Sequence, residues 1–92
     1  MTKAEIVDVV AEGTGLTKTE TQAVIEGFLA TIGYALKQGG RVDLRGFGNF
    51  RIIHKNARTT LNPVSKKIVE IPAHRSPAFK PSKDLKRYIN SE

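Results

Sequence analysis

The chain contains no cysteine, and other features that it lacks exclude several classes of protein. Without cysteine there are no disulfide staples and no thiolate metal sites, although the redox compartment stays open. No segment approaches the roughly 20 apolar residues that a membrane-spanning helix needs. Thr2, Lys3 and Glu5 interrupt any apolar run of the kind that starts a secretion signal. The sequence therefore predicts a soluble, cytoplasmic protein without a membrane partner.

Acidic residues are scarce in the second half of the chain. Residues 1–40 carry three basic and five acidic side chains, a net charge of −2, whereas residues 41–92 carry twelve basic and four acidic ones, a net charge of +8. A one-sided basic surface most often binds a polyanion, because neutralising phosphates releases counterions. A basic face that is merely solvated is the alternative.

Two capping-box sequences predict two helices in the first half of the chain. Thr2 to Glu5 and Thr17 to Glu20 each place a carboxylate three residues after a hydroxyl, the arrangement that satisfies free backbone donors at a helix start. The first helix has an apolar face of Ile6, Val9 and Val10. The second has a longer apolar stripe, formed by Ile25, Leu29, Ile32 and Leu36 and widened by Val24, Phe28 and Ala35. At 92 residues one small domain buries only about 60–65% of its unfolded surface, so a second copy would help to cover this stripe.

The apolar period changes to two after the second helix. Val42 and Leu44 predict a short strand, and residues 49–58 and 67–75 predict the two limbs of a hairpin whose turn lies near Asn62-Pro63. At about 3.3 Å per residue, such a hairpin projects roughly 40 Å. After the hairpin, Ser82 is placed to cap a short C-terminal helix.

Five short motifs occur in an order and spacing that resemble one known family. They are Gly46-Phe47-Gly48-Asn49-Phe50, Ala57-Arg58, Asn62-Pro63, Ile71-Pro72-Ala73 and Pro77-Ala78-Phe79-Lys80. Over essentially its whole length the chain resembles the bacterial histone-like DNA-bending proteins, HU and integration host factor. The resemblance implies an α+β fold with an N-terminal helical hairpin, a three-stranded antiparallel sheet extended into a long β-ribbon arm, and a short C-terminal helix.

The resemblance also implies an intertwined dimer that wraps and bends double-stranded DNA through the minor groove. Residues 1–92 are expected to form a single domain, with a body of residues 1–51 and 76–92 and an arm of about residues 52–75. A homodimer is expected, and a heterodimer with a related chain is the alternative. The expected role is non-enzymatic and nucleoid-associated, with no cofactor, no metal, no catalytic residue and no small-molecule substrate.

Residue by residue, the resemblance assigns two groups of side chains. Pro63 is expected to wedge between base pairs and Arg58 to enter the narrow groove, while basic residues on the arm and near helix starts contact phosphates. The full expected DNA-contact set is Lys3, Arg45, Arg51, Lys55, Arg58, Leu61, Asn62, Pro63, Lys66, Lys67, Arg75, Lys80, Ser82, Lys83 and Lys86. The core and dimer interface are expected to contain Ile25, Phe28, Leu29, Ile32, Leu36, Leu44, Phe47, Phe50 and Phe79.

Several positions depart from the usual family pattern. Leu61 stands where the family has arginine, which predicts weaker or more apolar recognition at the tip. Lys66 stands where the family has glycine, and because lysine adopts a positive backbone angle less readily, we expect a turn of different shape. Ser82 replaces a frequent glycine, and Arg45 resembles the integration host factor branch.

Other functions compete with this interpretation. Arg45-Gly46-Phe47-Gly48 starts like an RNA-recognition strand, but Asn49 occupies the next aromatic position and the chain opens with helices. His54, His74 and Glu70 suggest a metal enzyme only if they face one another, and a projecting arm provides no enclosed cavity. Two alternatives keep the fold: an interaction scaffold with weakened DNA bending, and a site-preferring subunit of the integration host factor type.

Overall fold

The computed structural model describes residues 1–91, in which three helices and five strands follow one another along the chain. The order is α1 (Lys3–Thr14), α2 (Lys18–Lys37), β1 (Val42–Leu44), β2 (Gly48–Lys55), β3 (Arg58–Leu61), β4 (Ile68–Ile71), β5 (His74–Pro81) and α3 (Lys83–Asn90). None of these helices is long and apolar enough to cross a membrane. Chain contacts divide the molecule into two units, residues 1–34 and the residues from Ala35 onward.

The hydroxyl bond of a capping box is present at both predicted helix starts, and the complete box is present at α2. At α1, the backbone N–H of Glu5 donates to the hydroxyl of Thr2 at 3.2 Å. At α2, the exchange is reciprocal: the N–H of Glu20 donates to Thr17 Oγ1 and the N–H of Thr17 donates to Glu20 Oε1, each at 3.1 Å. The bond from the Thr17 backbone, followed by that from its hydroxyl, lowers the pKa of Glu20 below its usual value.

The face that α1 buries is not the one predicted from its apolar residues. Val7 and Ala11 are buried, four residues apart on one side of the helix, whereas Ile6, Val9 and Val10 are exposed. Sequence period alone could not separate these faces, because valine and isoleucine occur around most of α1. The exposed apolar side chains are therefore available to a second chain.

The strands form a three-stranded antiparallel sheet and a two-stranded ribbon. In the sheet the order is β1-β2-β5, with Val42 opposite Phe50 and Phe50 opposite Phe79. The Phe50 and Phe79 rings lie 4.9 Å apart between centroids, and the Phe47 and Phe79 rings lie 5.4 Å apart. These tilted contacts stabilise one face of the sheet at the base of the arm.

The predicted hairpin limbs are each interrupted once. The β2–β5 ladder ends where Lys55 pairs with His74, and the β3–β4 ladder begins where Arg58 pairs with Ile71. Two residues are skipped on each limb, so the register continues without an inserted residue. Pro72 has no N–H to donate to the ladder, which accounts for the gap on its side.

Most of the predicted core and interface residues are not fully buried in a single chain. Leu36 is buried, and Ile25, Ile32, Leu44 and Phe50 are half-buried. Four others are exposed, namely Phe28, Leu29, Phe47 and Phe79. Within residues 1–91 the buried hydrophobic side chains are Val7, Ala11 and Leu36. The chain alone thus leaves much of its apolar surface in contact with solvent.

Candidate nucleic-acid interface

The three-stranded sheet has one apolar face and one face that carries cations. Strand pairing places Asn49 opposite Lys80, Arg51 opposite Ala78 and Lys55 opposite His74. Because side chains alternate between faces along a strand, Arg51, Lys55 and Lys80 share the face opposite to that of Phe50. All three cations are exposed. The sheet therefore brings together three of the predicted phosphate contacts.

Arg75 lies on the other face of the sheet. It pairs with His54 in the register, and its Nη1 donates to the backbone carbonyl of Lys37 at 3.1 Å. Lys37 is the last residue of α2, where carbonyls have no partner within the helix and a cation is favoured. One donor of Arg75 thus has a structural role that the sequence did not predict, and the structure does not group this residue with Arg51 and Lys55.

The ribbon of β3 and β4 also has two different faces. On one face Arg58 lies opposite Ile71 and Thr60 opposite Val69. Lys67 joins this face at the turn, because the N–H of Asn62 donates to the Lys67 carbonyl at 2.9 Å. The ribbon therefore places Arg58 and Lys67 together, as a pair of exposed cations near the tip.

The second face of the ribbon contains Leu61 opposite Ile68 and Thr59 opposite Glu70. Leu61 and Ile68 are largely exposed. Leu61 was among the predicted contacts, whereas Ile68 was not. Their pairing could have been predicted from position, because Leu61 and Ile68 are equally distant from the centre of the turn.

The tip is a tight turn that Asn62 holds together. Its side-chain Oδ1 accepts the N–H groups of Val64 at 2.9 Å and Ser65 at 3.3 Å, while its carbonyl accepts the N–H of Lys66 at 2.7 Å. Pro63 follows Asn62 and is exposed, and no donor is lost there because proline has no N–H. Asn62 thus has a turn-forming role that presents Pro63 outward.

Lys66 adopts a backbone conformation that the sequence analysis did not favour. Its φ of 58° makes it the one non-glycine residue with positive φ in residues 1–91. Lys66 thus adopts an angle that glycine adopts more readily, and the turn closes with Lys66 in the left-handed region. Such an angle costs a residue with a Cβ atom about 1–2 kcal/mol relative to glycine.

Replacing Lys66 with glycine is therefore expected to stabilise the tip by about 1 kcal/mol. Amide exchange of the Asn62 N–H, which donates to the Lys67 carbonyl, should slow by about fivefold. Ser65→Gly provides the control, because Ser65 does not have a positive φ and glycine there only adds flexibility. Equal protection in Lys66→Gly and the unmodified chain would show that Lys66 is not strained.

The cations near helix starts differ in whether a carboxylate is paired with them. Lys3 is paired with Glu26 at 3.2 Å, and that carboxylate also accepts from Gln22, which is the larger cause of the lowered pKa of Glu26. At α3, Ser82 Oγ accepts the N–H of Leu85 at 3.1 Å, which leaves its hydroxyl hydrogen free to donate. Lys80, Lys83 and Lys86 are exposed around this helix start.

Arg45 and Ser82 line one cleft of about 180 Å³, together with Asp43, Asn49 and three neighbouring residues. One end of the sheet thus brings together body residues that are far apart in the sequence. In residues 1–91 the ion pairs are Lys3–Glu26, Lys18–Asp8 and Arg41–Asp43. Of the predicted DNA-contact cations in this part of the chain, only Lys3 is neutralised by a carboxylate.

The structure does not support a metal site on the arm. His54 pairs with Arg75 and His74 pairs with Lys55, so the two histidines lie on opposite faces of the ladder. His74 Nδ1 lies 3.0 Å from the Pro72 carbonyl. Across residues 1–91 no three histidine or carboxylate side chains are grouped closely enough to hold a metal ion.

Comparison with known proteins finds the same family over the whole chain. The family model described as "Bacterial DNA-binding protein" matches residues 1–90. "DNA-binding protein HU" of Thermus thermophilus is 45% identical over 86 residues, which cover 94% of this chain and 89% of that protein. "DNA-binding protein HU-alpha" of Escherichia coli is 43% identical over 86 residues, with coverage of 94% and 96%.

Solved structures agree with this similarity. The structure described as "Anabaena HU-DNA cocrystal structure" matches with a TM-score of 0.92 and 39% identity, and the match covers all of both chains. "HU from Thermotoga maritima" matches with a TM-score of 0.70 and 30% identity, covering 98% of this chain and 100% of that one.

Proposed function

Because the chain belongs to the bacterial DNA-binding protein family, we propose that it is an architectural protein that binds double-stranded DNA through the minor groove and bends it. The observation that carries the proposal is the match over the whole chain to an HU protein crystallised with DNA. The described cations of the sheet and ribbon support it, because Arg51, Lys55 and Lys80 share one face and Arg58 and Lys67 share another. The proposed role needs no catalytic step and places the protein on the nucleoid.

A two-stranded ribbon suits the minor groove for geometric reasons. The groove is about 6 Å wide, and adjacent strands lie about 4.8 Å apart. Base edges in this groove distinguish A·T from G·C pairs but little more, so binding should depend on DNA shape more than on sequence. This favours broad DNA binding over the site-preferring alternative.

The proposed functional unit is a dimer of two identical chains. Unit by unit, apolar side chains remain exposed: Val24, Phe28 and Leu29 in the first, and Phe47, Tyr88 and Ile89 in the second. Burying such side chains against a second chain stabilises the fold by roughly 25 cal/mol per Å² of apolar surface. Pairing with a related but different chain is the alternative assembly.

Salt titration of a fluorescent duplex tests the proposed DNA binding. Contact with about eight phosphates is expected to give a log–log slope of the binding constant against salt near −7, because each neutralised phosphate releases counterions. A flat response, or no binding at low salt, would reject DNA binding and favour the interaction scaffold. The native mass of the same complex should correspond to two chains on one duplex.

A further inference from the structure

An exposed apolar pair lies next to the tip of the ribbon. Leu61 and Ile68 face each other across β3 and β4, and their side chains are 61% and 72% exposed. The other strand residues on this face are Thr59 and Glu70, so the face contains no cation. A ligand that covers two large apolar side chains lying opposite each other on the ribbon gains the free energy of burying their apolar surface.

The position of this pair is continuous with the proposed DNA interface. Leu61 ends β3 and precedes Pro63 by two residues, a span of at most about 7 Å. That length corresponds to about two base-pair rises from the step that Pro63 would open. In addition, both limbs skip two residues between the two ladders, so the register continues from β2 into β3 without an inserted residue.

The chemistry of this face fits the sugar walls of the groove better than the phosphates. Glu70 repels phosphate, and neither Leu61 nor Ile68 can attract it. The inner walls of a minor groove expose deoxyribose C–H groups, and minor-groove proteins use apolar side chains such as leucine and isoleucine against base steps that they open. We propose that Leu61 and Ile68 form an apolar contact with the deoxyribose walls beside the Pro63 wedge, an inference that rests on the proposed function.

The pair should therefore contribute to affinity without contributing to its salt dependence. Leu61→Thr combined with Ile68→Thr removes the apolar contact and keeps side chains that suit a β-strand. We expect this double variant to bind an intact duplex about tenfold more weakly, with the same log–log salt slope as the unmodified chain. Leu61→Arg, in contrast, should make the slope steeper by about one, because it adds a cation beside the groove.

Val64→Thr is the matched control, since Val64 is an apolar residue of the tip that is 92% exposed and lies outside the Leu61–Ile68 pair. It should leave affinity within about twofold. A double variant that binds as tightly as the unmodified chain rejects the apolar contact while the proposed function stands. Failure of the unmodified chain to bind duplex rejects both. Self-association of free arms, abolished by the double variant with no change in DNA affinity, would assign the pair to a second copy and overturn the inference.

Discussion

Replacing Pro63 with alanine is expected to remove most of the bend that the protein imposes on DNA while lowering its affinity by less than tenfold. A rigid apolar ring that enters a base step unstacks it at a cost of a few kcal/mol, and the wrapping contacts offset this cost. Without the ring, the favourable insertion contact and the unstacking cost disappear together. The net change in affinity is therefore small, whereas the kink depends on the wedge itself.

Energy transfer between dyes at the two duplex ends measures this bend directly. The distance should increase in the Pro63→Ala complex, corresponding to a loss of at least about 20° of bending. Val64→Ala is the matched control, because Val64 is the next residue and is 92% exposed but is not rigid. An unchanged bend in the Pro63→Ala complex excludes Pro63 as the wedge. Loss of bending in Val64→Ala alone would show that Val64, and not Pro63, is the wedge.

The turn that holds Pro63 should survive this substitution. Pro63 donates no hydrogen bond, and the tip is closed by Asn62, whose Oδ1 accepts from Val64 and Ser65. Alanine costs only the unfolded-state advantage of proline, about 0.4–1 kcal/mol. Amide exchange at the tip can therefore separate a change in wedge chemistry from a loss of turn structure.

The parts of the fold that local chemistry determines were predictable from the sequence. Thr17 with Glu20, and Ser82 before α3, identify helix starts because their side chains bond backbone groups three residues away. Val42 and Leu44 identify β1 by alternation alone. These signals need no information about distant residues.

Features that depend on distant residues were not predictable in the same way. Packing partners determine which face of α1 is buried. Val7 was missed because its neighbours Ile6 and Val9 are equally apolar, so the sequence does not show which of them is buried. Arg75 was predicted as a phosphate contact, and its bond to the carbonyl of Lys37 at the end of α2 was missed because Lys37 is 38 positions away. Lys66 adopts positive φ because hydrogen bonds on both sides of the turn require it. Local propensity does not contain these constraints.

Gly48→Ala is expected to destabilise the protein by about 3 kcal/mol, the upper part of the range for overpacking a core. A Cβ atom at Gly48 would lie 2.5 Å from the Lys80 carbonyl oxygen and 2.7 Å from two carbons of the Phe79 ring. The carbonyl belongs to the neighbouring strand, because Gly48 pairs with Pro81. Relief of the clash thus requires the strands to separate where the Phe79 ring packs on Phe50.

Thermal unfolding at fixed protein concentration measures this effect, since the melting temperature of a dimer depends on concentration. A loss of about 3 kcal/mol in a chain of this length lowers the midpoint by roughly 12–24 °C. Gly27→Ala is the control, because no atom lies within 4 Å of the added Cβ and alanine favours the helix interior of α2. If Gly48→Ala has the same melting temperature as the unmodified chain, the strands at the base of the arm are not closely packed. A lower melting temperature in Gly48→Ala but not in Gly27→Ala shows instead that two features need the absence of a side chain at position 48. These are the close approach of β2 to β5 and the packing of the Phe79 ring.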